Sequence, residues 1–277
     1  MYRLSTVLLT LATIACVCGT ANAGVFSLVD GNSQVDFNTA SSANATNWFV
    51  DGQDQLFQQA FWLRVGSTGG ETSLHALAIG VEGTSDTDFD GNADTLFVRY
   101  LGTGFTVEVR YGLTGGAAGS NVSDLSEEIL ITNTSGAALD FHFFQYSDFD
   151  LGATSGNDTV QILGGNTAQQ SDPNGLVFSE TVVTPNPTHH EVAPWPSTLA
   201  SLNDGSPTTL NDSNGPITGD VTWAFQWDTT IGAGGSFLIS KDKGLSPVPE
   251  PASLALWSLF GVAGLGYCGW RRKRTPR

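Results

Sequence analysis

Between Gly24 and Ala252, apolar residues nowhere recur at helical spacing across a dozen positions, so a buried core there has to be assembled from strands. Period-two alternation is present instead. Phe105, Val107, Val109 and Tyr111 share one face of an extended run, with Thr106, Glu108 and Arg110 on the other. Val221, Trp223, Phe225 and Trp227 alternate in the same way with Thr222, Ala224, Gln226 and Asp228. That is the pattern of half-buried strands. Further strand-like runs cover 25–29, 56–65, 74–81, 95–101, 127–133, 139–146, 159–163, 176–183 and 235–240. Asp30-Gly31, Asp51-Gly52, Gly69-Gly70, Asp90-Gly91, Gly115-Gly116, Gly164-Gly165 and Ala233-Gly234-Gly235 separate them as turns. Leu101-Gly102-Thr103-Gly104 is short enough to close a hairpin. Many short strands with such turns predict an all-β fold, a single antiparallel β-sandwich spanning residues 24–246.

One region departs from this pattern. Residues 184–219 hold Pro185, Pro187, Pro194, Pro196, Pro207 and Pro216 among Asn, Asp, Ser and Thr. Proline cannot donate to a β-ladder, so a long surface excursion is expected. The body contains no cysteine, since Cys16, Cys18 and Cys268 all lie near the ends. About 220 residues suffice to bury one core without disulfides.

The two ends carry targeting signals. Residues 1–23 combine Arg3, an apolar stretch from Leu4 to Val17, and Ala21-Asn22-Ala23. This is the form of a secretory signal peptide, cut by signal peptidase to leave Gly24 as the first residue. Residues 247–277 contain Pro249-Glu250-Pro251, then the uncharged stretch 252–270, then Arg271, Arg272, Lys273 and Arg274. As a helix the uncharged stretch would extend about 28 Å, the hydrocarbon thickness of a bilayer. The basic cluster behind it would act as a membrane stop, held on the cytoplasmic side.

Val248-Pro249-Glu250-Pro251-Ala252-Ser253, an apolar helix and an immediate Arg-rich terminus resemble the PEP-CTERM sorting signal of Gram-negative bacteria that make exopolysaccharide. The resemblance implies a tail read and cut by exosortase, an exosortase-type membrane protease, with release to the cell surface or extracellular matrix. It covers the tail alone and is an address, without an activity. The body in turn is similar to uncharacterised sandwich domains that precede such tails, on 50–66, Tyr146-Ser147-Asp148-Phe149-Asp150-Leu151 and Trp223-Ala224-Phe225-Gln226-Trp227-Asp228.

All 27 acidic residues lie between 24 and 250, against five of the 11 basic ones, a net charge of −22 there compared with −16 for the whole chain. A surface of that sign repels nucleic acid and attracts cations and basic partners. The sequence Asp86-Thr87-Asp88-Phe89-Asp90-Gly91-Asn92-Ala93-Asp94 follows the spacing of calcium loops. Carboxylates at alternate positions converge as the chain curls, with the Asn92 carbonyl as a further ligand. Phe97 stands where the bidentate Glu of an EF-hand belongs, so calcium, if held, is held in a looser loop; the bland alternative is an acidic connection kept soluble by its charges. Tyr146, Asp148, Asp150 and Asp158 form a second acidic group, suited to turn capping or to ligand contact. Trp195, between two prolines, is expected to be exposed and able to stack on a sugar. His189 and His190 are adjacent on an extended chain and point opposite ways.

No H-E-x-x-H, G-x-S-x-G, P-loop or dinucleotide motif is present. The sequence therefore predicts an exported, non-catalytic surface or exopolysaccharide-matrix protein and no enzyme. Two alternatives stand beside that reading. One is a carbohydrate-binding module using Trp195 and the 146–158 acidic loop. The other is a secreted glycoside hydrolase, whose carboxylate pair need be close only in space.

Overall fold

A computed structural model describes residues 24–247. The signal-peptide residues before Gly24, the Pro249-Glu250-Pro251 motif, the expected transmembrane helix and the basic terminus all lie outside the described residues. Among the described residues, no helix is long and apolar enough to cross a membrane.

Two sheets face each other. The first runs β1 (Val25–Asp30), β2 (Ser33–Asn38), β3 (Asn44–Val50), β5 (Leu56–Val65), β11 (Leu139–Phe149), β17 (Val221–Ile231) and β15 (His189–Pro194). The short strands β4 (Gln53–Asp54) and β6 (Thr72–Ser73) join β3 and β5. The second sheet runs β16 (Ile217–Gly219), β12 (Asp158–Leu163), β13 (Thr167–Ser171), β14 (Leu176–Thr184), β18 (Ser236–Pro247), β10 (Ser123–Asn133), β9 (Phe105–Gly115), β8 (Thr95–Gly102) and β7 (Ala78–Ser85). Pairing is antiparallel except for a brief parallel contact between β3 and β5. The all-β, two-sheet expectation therefore holds, and β8 and β9 close the expected hairpin, with Gly102 opposite Phe105.

The alternation seen in sequence becomes the core. Phe105, Val107, Val109 and Tyr111 from one sheet meet Phe61, Phe141, Phe143, Trp223, Phe225 and Trp227 from the other, all buried. Phe149 stacks on Trp223 at 5.3 Å, and Phe105 meets Phe141 edge-on at 5.4 Å; such pairs add about 0.5–1.5 kcal/mol beyond their burial.

The Pro-rich excursion is more ordered than expected. Residues 189–194 form edge strand β15, paired with β17, and Pro194 sits at its end, opposite Val221. An edge position is where proline is tolerated in a sheet. A short helix, α1 (Ser197–Leu202), follows. Leu202 and Leu210 then cover the outer face of the first sheet by packing on Trp62, Phe144, Tyr146 and Ala224. The β-ladder thus continues where proline count alone suggested a loop. Pro247, expected to open the sorting tail, completes β18.

Sequence reading placed the charges on the surface, but four lie in the centre of the sandwich. Glu127, Glu180, Lys241 and Lys243 have side chains with no solvent exposure. Register sets Glu127 directly opposite Lys241 and Glu180 opposite Lys243. Lys241 Nζ lies 2.5 Å from Glu127 Oε2 and 3.2 Å from Glu180 Oε1, while Lys243 pairs with Glu127 as well. The facing sheet completes the network: Lys243 donates to Gln59 Oε1 (2.6 Å), and Gln145 and Trp223 donate to Glu180 Oε2 at 2.7 and 2.9 Å.

Candidate functional site

The strongest constellation lies at one end of the first sheet, where β11 leaves the ladder. Side chains of β11 alternate: Phe141, Phe143 and Phe149 point into the core, whereas Phe144 and Tyr146 point outward beneath the excursion. Asp148 is the next residue on that outer side, and Tyr146 Oη donates to its Oδ2 at 3.1 Å. The register between β11 and β5 shifts after Asp148, pairing Asp148 with Gln58 and Phe149 with Leu56. Phe57 is left without an opposite partner and is turned out to solvent, 55% exposed. Bulges commonly re-aim a side chain in this way beside functional sites.

Two neighbours complete the site. β15 ends at Pro194, and the Trp195 amide donates to the Asp220 carbonyl at 3.0 Å, which fixes the indole at the start of β17. Trp195 is 46% exposed. Phe57, Asp148, Asp150, Ser155, Trp195 and Asp220 line a cleft of about 200 Å³. A second hollow of about 310 Å³ shares Phe57 and Asp150 with it, so the groove continues past the first subsite.

Asp148, Asp150 and Asp220 each offer a carboxylate oxygen within 4.8 Å of the others. Burial, reinforced by the charges of Asp150 and Asp220, outweighs the Tyr146 hydrogen bond and pushes the Asp148 carboxyl up to about 7. Asp150 is also raised, by burial and then by Asp220 and Asp54. A carboxyl kept protonated near neutrality, beside two others and under an exposed indole, can donate a proton to a bound polyol or glycoside. The three oxygens also lie close enough together to share one cation.

The structure brings together Trp195, Asp148 and Asp150, three residues singled out in the sequence, whereas Asp158 lies behind them and does not line the cleft. That residue is buried and serves as a cap, its Oδ2 accepting from the Leu151 amide (3.0 Å) and from Gln170 (2.6 Å). Phe57 and Asp220 carried no linear signal: one depends on a bulge and the other on pairing between β15 and β17. His189 and His190 lie on β15 and share Asp212 as a partner, at 3.0 and 3.8 Å. Asp86, Asp88, Asp90, Asn92 and Asp94 occupy the connection between β7 and β8, far along the chain from this cleft. A larger cavity of about 360 Å³ borders Glu127, Glu128 and Lys241, but the Glu127 carboxylate is already committed to two lysines.

No family model and no curated protein matches the chain. Solved structures do match in fold. A bacterial glucoamylase complexed with acarbose superposes with a TM-score of 0.54 at 7% identity, over 88% of this chain and 35% of that one. This chain therefore spans about a third of the glucoamylase chain. A protein from Synechocystis sp. PCC 6803 (Slr1438) superposes with a TM-score of 0.53 at 12% identity, over 89% of this chain and all of that one. The first likeness corrects the sequence expectation of a non-catalytic protein and no enzyme. That expectation rested on missing linear motifs, whereas the sandwich is shared with a glucoamylase chain and here brings its carboxylates together from the end of β11 and the residue before β17.

Proposed function

We propose that the chain is a carbohydrate-active enzyme that cleaves glycosidic bonds in the cleft formed by Asp148, Asp150, Asp220 and Trp195. The observation that carries this reading is the raised Asp148 carboxyl set between two carboxylates at the foot of an exposed indole. Trp195 and Phe57 stack on sugar rings in the two hollows. Asp148 protonates the leaving glycosidic oxygen as its bond to the anomeric carbon breaks, one of Asp150 and Asp220 forms the glycosyl ester at that carbon, and a water that gives its proton back to Asp148 then hydrolyses the ester. Each of the three residues brings a carboxylate oxygen within 4.8 Å of the others, leaving less room between them than the roughly 6.5–9.5 Å carboxyl separation that admits a water, which favours double displacement. The shared fold of the glucoamylase chain supports a sugar substrate.

The export signals set where this chemistry operates. Removal of the signal peptide after Ala23 by signal peptidase, and cutting of the Pro249-Glu250-Pro251 tail by an exosortase-type protease, would deliver the enzyme to the cell surface or matrix. Its substrate there is the polysaccharide the cell secretes. Intact mass of protein from native cells should match a chain beginning at Gly24 and lacking the basic terminus.

The decisive assay incubates the purified protein with that polysaccharide and follows the release of reducing ends. Release is expected, and Trp195→Ala should lower kcat/KM by about tenfold through lost stacking area. Saturable binding without release would reassign the cleft to a carbohydrate-binding module.

A further inference from the structure

A second site lies where the end of β1 meets the connection between β7 and β8, at the free edges of the two sheets. β1 ends the order of the first sheet and β7 that of the second. The connection between β7 and β8 meets the end of β1: the Val29 amide donates to the Ala93 carbonyl at 2.8 Å. Asp30, at the last position of β1, thereby joins the Asp86–Asp94 loop. Asp86, Asp88 and Asp94 each bring a carboxylate oxygen within 4.8 Å of the others, and so do Asp30, Asp88 and Asp90. Asp88 belongs to both groups, so the five carboxylates form one basin. None of the five has an ion-pair partner among the described residues.

An independent observation comes from Asp94. It is 5% exposed, and Oδ2 is occupied by the Thr87 amide (3.0 Å) and hydroxyl (2.7 Å). Its Oδ1 is buried with no hydrogen-bond partner. A buried carboxylate oxygen left bare is costly unless a hydrogen-bond donor or a cation meets it, and no protein donor does so here.

We propose that Asp30, Asp86, Asp88, Asp90 and Asp94 hold one calcium ion that clamps the free edge of the first sheet to that of the second. All donors are oxygens, which selects a hard cation over zinc or copper. They come from two separate chain segments in an irregular ring, which suits the loose six-to-eight-fold shell of calcium better than the strict octahedron of magnesium. The Asn92 carbonyl stands at the loop position that usually supplies a backbone ligand. Asp30 takes over from the missing twelfth-position Glu: the loop's own chain has Phe97 there, and the extra carboxylate arrives from the other sheet.

Thermal unfolding of the full-length protein, with millimolar calcium or with chelator, tests the clamp. Calcium at about a hundredfold over its dissociation constant should raise Tm by about 5–10 °C, and chelator should reverse it. Magnesium at the same concentration should do markedly less. Asp94→Asn and Asp30→Asn should each abolish the calcium-dependent increment. Asp88→Asn, an exposed change that leaves the fold intact, should weaken calcium binding in equilibrium dialysis by about tenfold or more. Identical Tm in calcium and chelator, with no saturable uptake of calcium, would overturn the proposal. So would a calcium response unchanged in Asp30→Asn, because the cross-sheet ligand would then be idle.

Discussion

Replacing Glu127 with Gln should destabilise the sandwich by about 3–5 kcal/mol, lowering Tm by roughly 6–20 °C for a domain of this size. The side chain sits at zero exposure between Lys241 and Lys243. Removing its charge leaves two ammonium groups facing one carboxylate, Glu180, on side chains with no solvent exposure. That cost would consume much of the roughly 5–15 kcal/mol that keeps a typical domain folded. Replacing Glu127 and Lys243 together with Met should cost far less, because a buried ion pair exchanged for apolar groups of similar volume is often neutral. Chemical denaturation of the three proteins distinguishes a costly half-pair from a valuable whole one: equal losses in single and double variants would contradict the argument. The pH dependence has a defined sign. Burial alone would raise the Glu127 carboxyl, but the two lysines outweigh it and hold it at about 2, below its ordinary 4.5. Its contribution is therefore complete above pH 4.5 and is lost as pH falls through about 2.

Asp148→Asn should produce opposite changes in activity and stability. Loss of the proton donor should reduce turnover by about 10²–10⁴-fold. In the wild-type protein, kcat/KM should decline as pH rises past about 7, where Asp148 gives up its proton. Stability should move the other way. A carboxyl raised from 3.8 to about 7 contributes fully below pH 3.8, and that contribution is lost as pH rises through about 7. An amide cannot ionise, so at pH 8 the variant should be more stable than wild type by about 1–3 kcal/mol, with the difference vanishing near pH 3.5. A variant both inactive and less stable at pH 8 would show that Asp148 is a structural residue. Gain of stability with loss of turnover is the mark of a site kept strained for function.

The parts of this fold written locally were legible before any coordinates. Alternation around Val107 and Trp223 shows which side chains meet in the core, and Leu101–Gly104 shows where a hairpin closes. The strands that escaped notice are those whose partners justify them. β15 is held by β17 despite its terminal proline, and β2, β3 and β13 carry polar residues at many positions. The buried charges were partly visible. Ile239, Lys241, Lys243 and Leu245 occupy alternate positions on one face of β18, but lysine there reads as a surface residue until Glu127 and Glu180 are placed opposite. The cleft shows the same division. Trp195 and the 146–158 carboxylates stand out by residue type, whereas Phe57 needs a bulge and Asp220 needs a cross-strand neighbour, and neither leaves a trace in spacing.

The position of β18 sets how the molecule responds to pulling. It is the last strand described, flanked by β10 on one side and β14 on the other. Tension on the residues after Pro247 runs along this strand and shears both ladders at once, so many hydrogen bonds and the buried lysines resist together. Tension on Gly24 instead acts on β1, an edge strand with a single ladder to β2, which can peel one bond at a time. A body tethered through its C-terminus would be held by a strand paired on both sides, and its first failure under load would come from the opposite end.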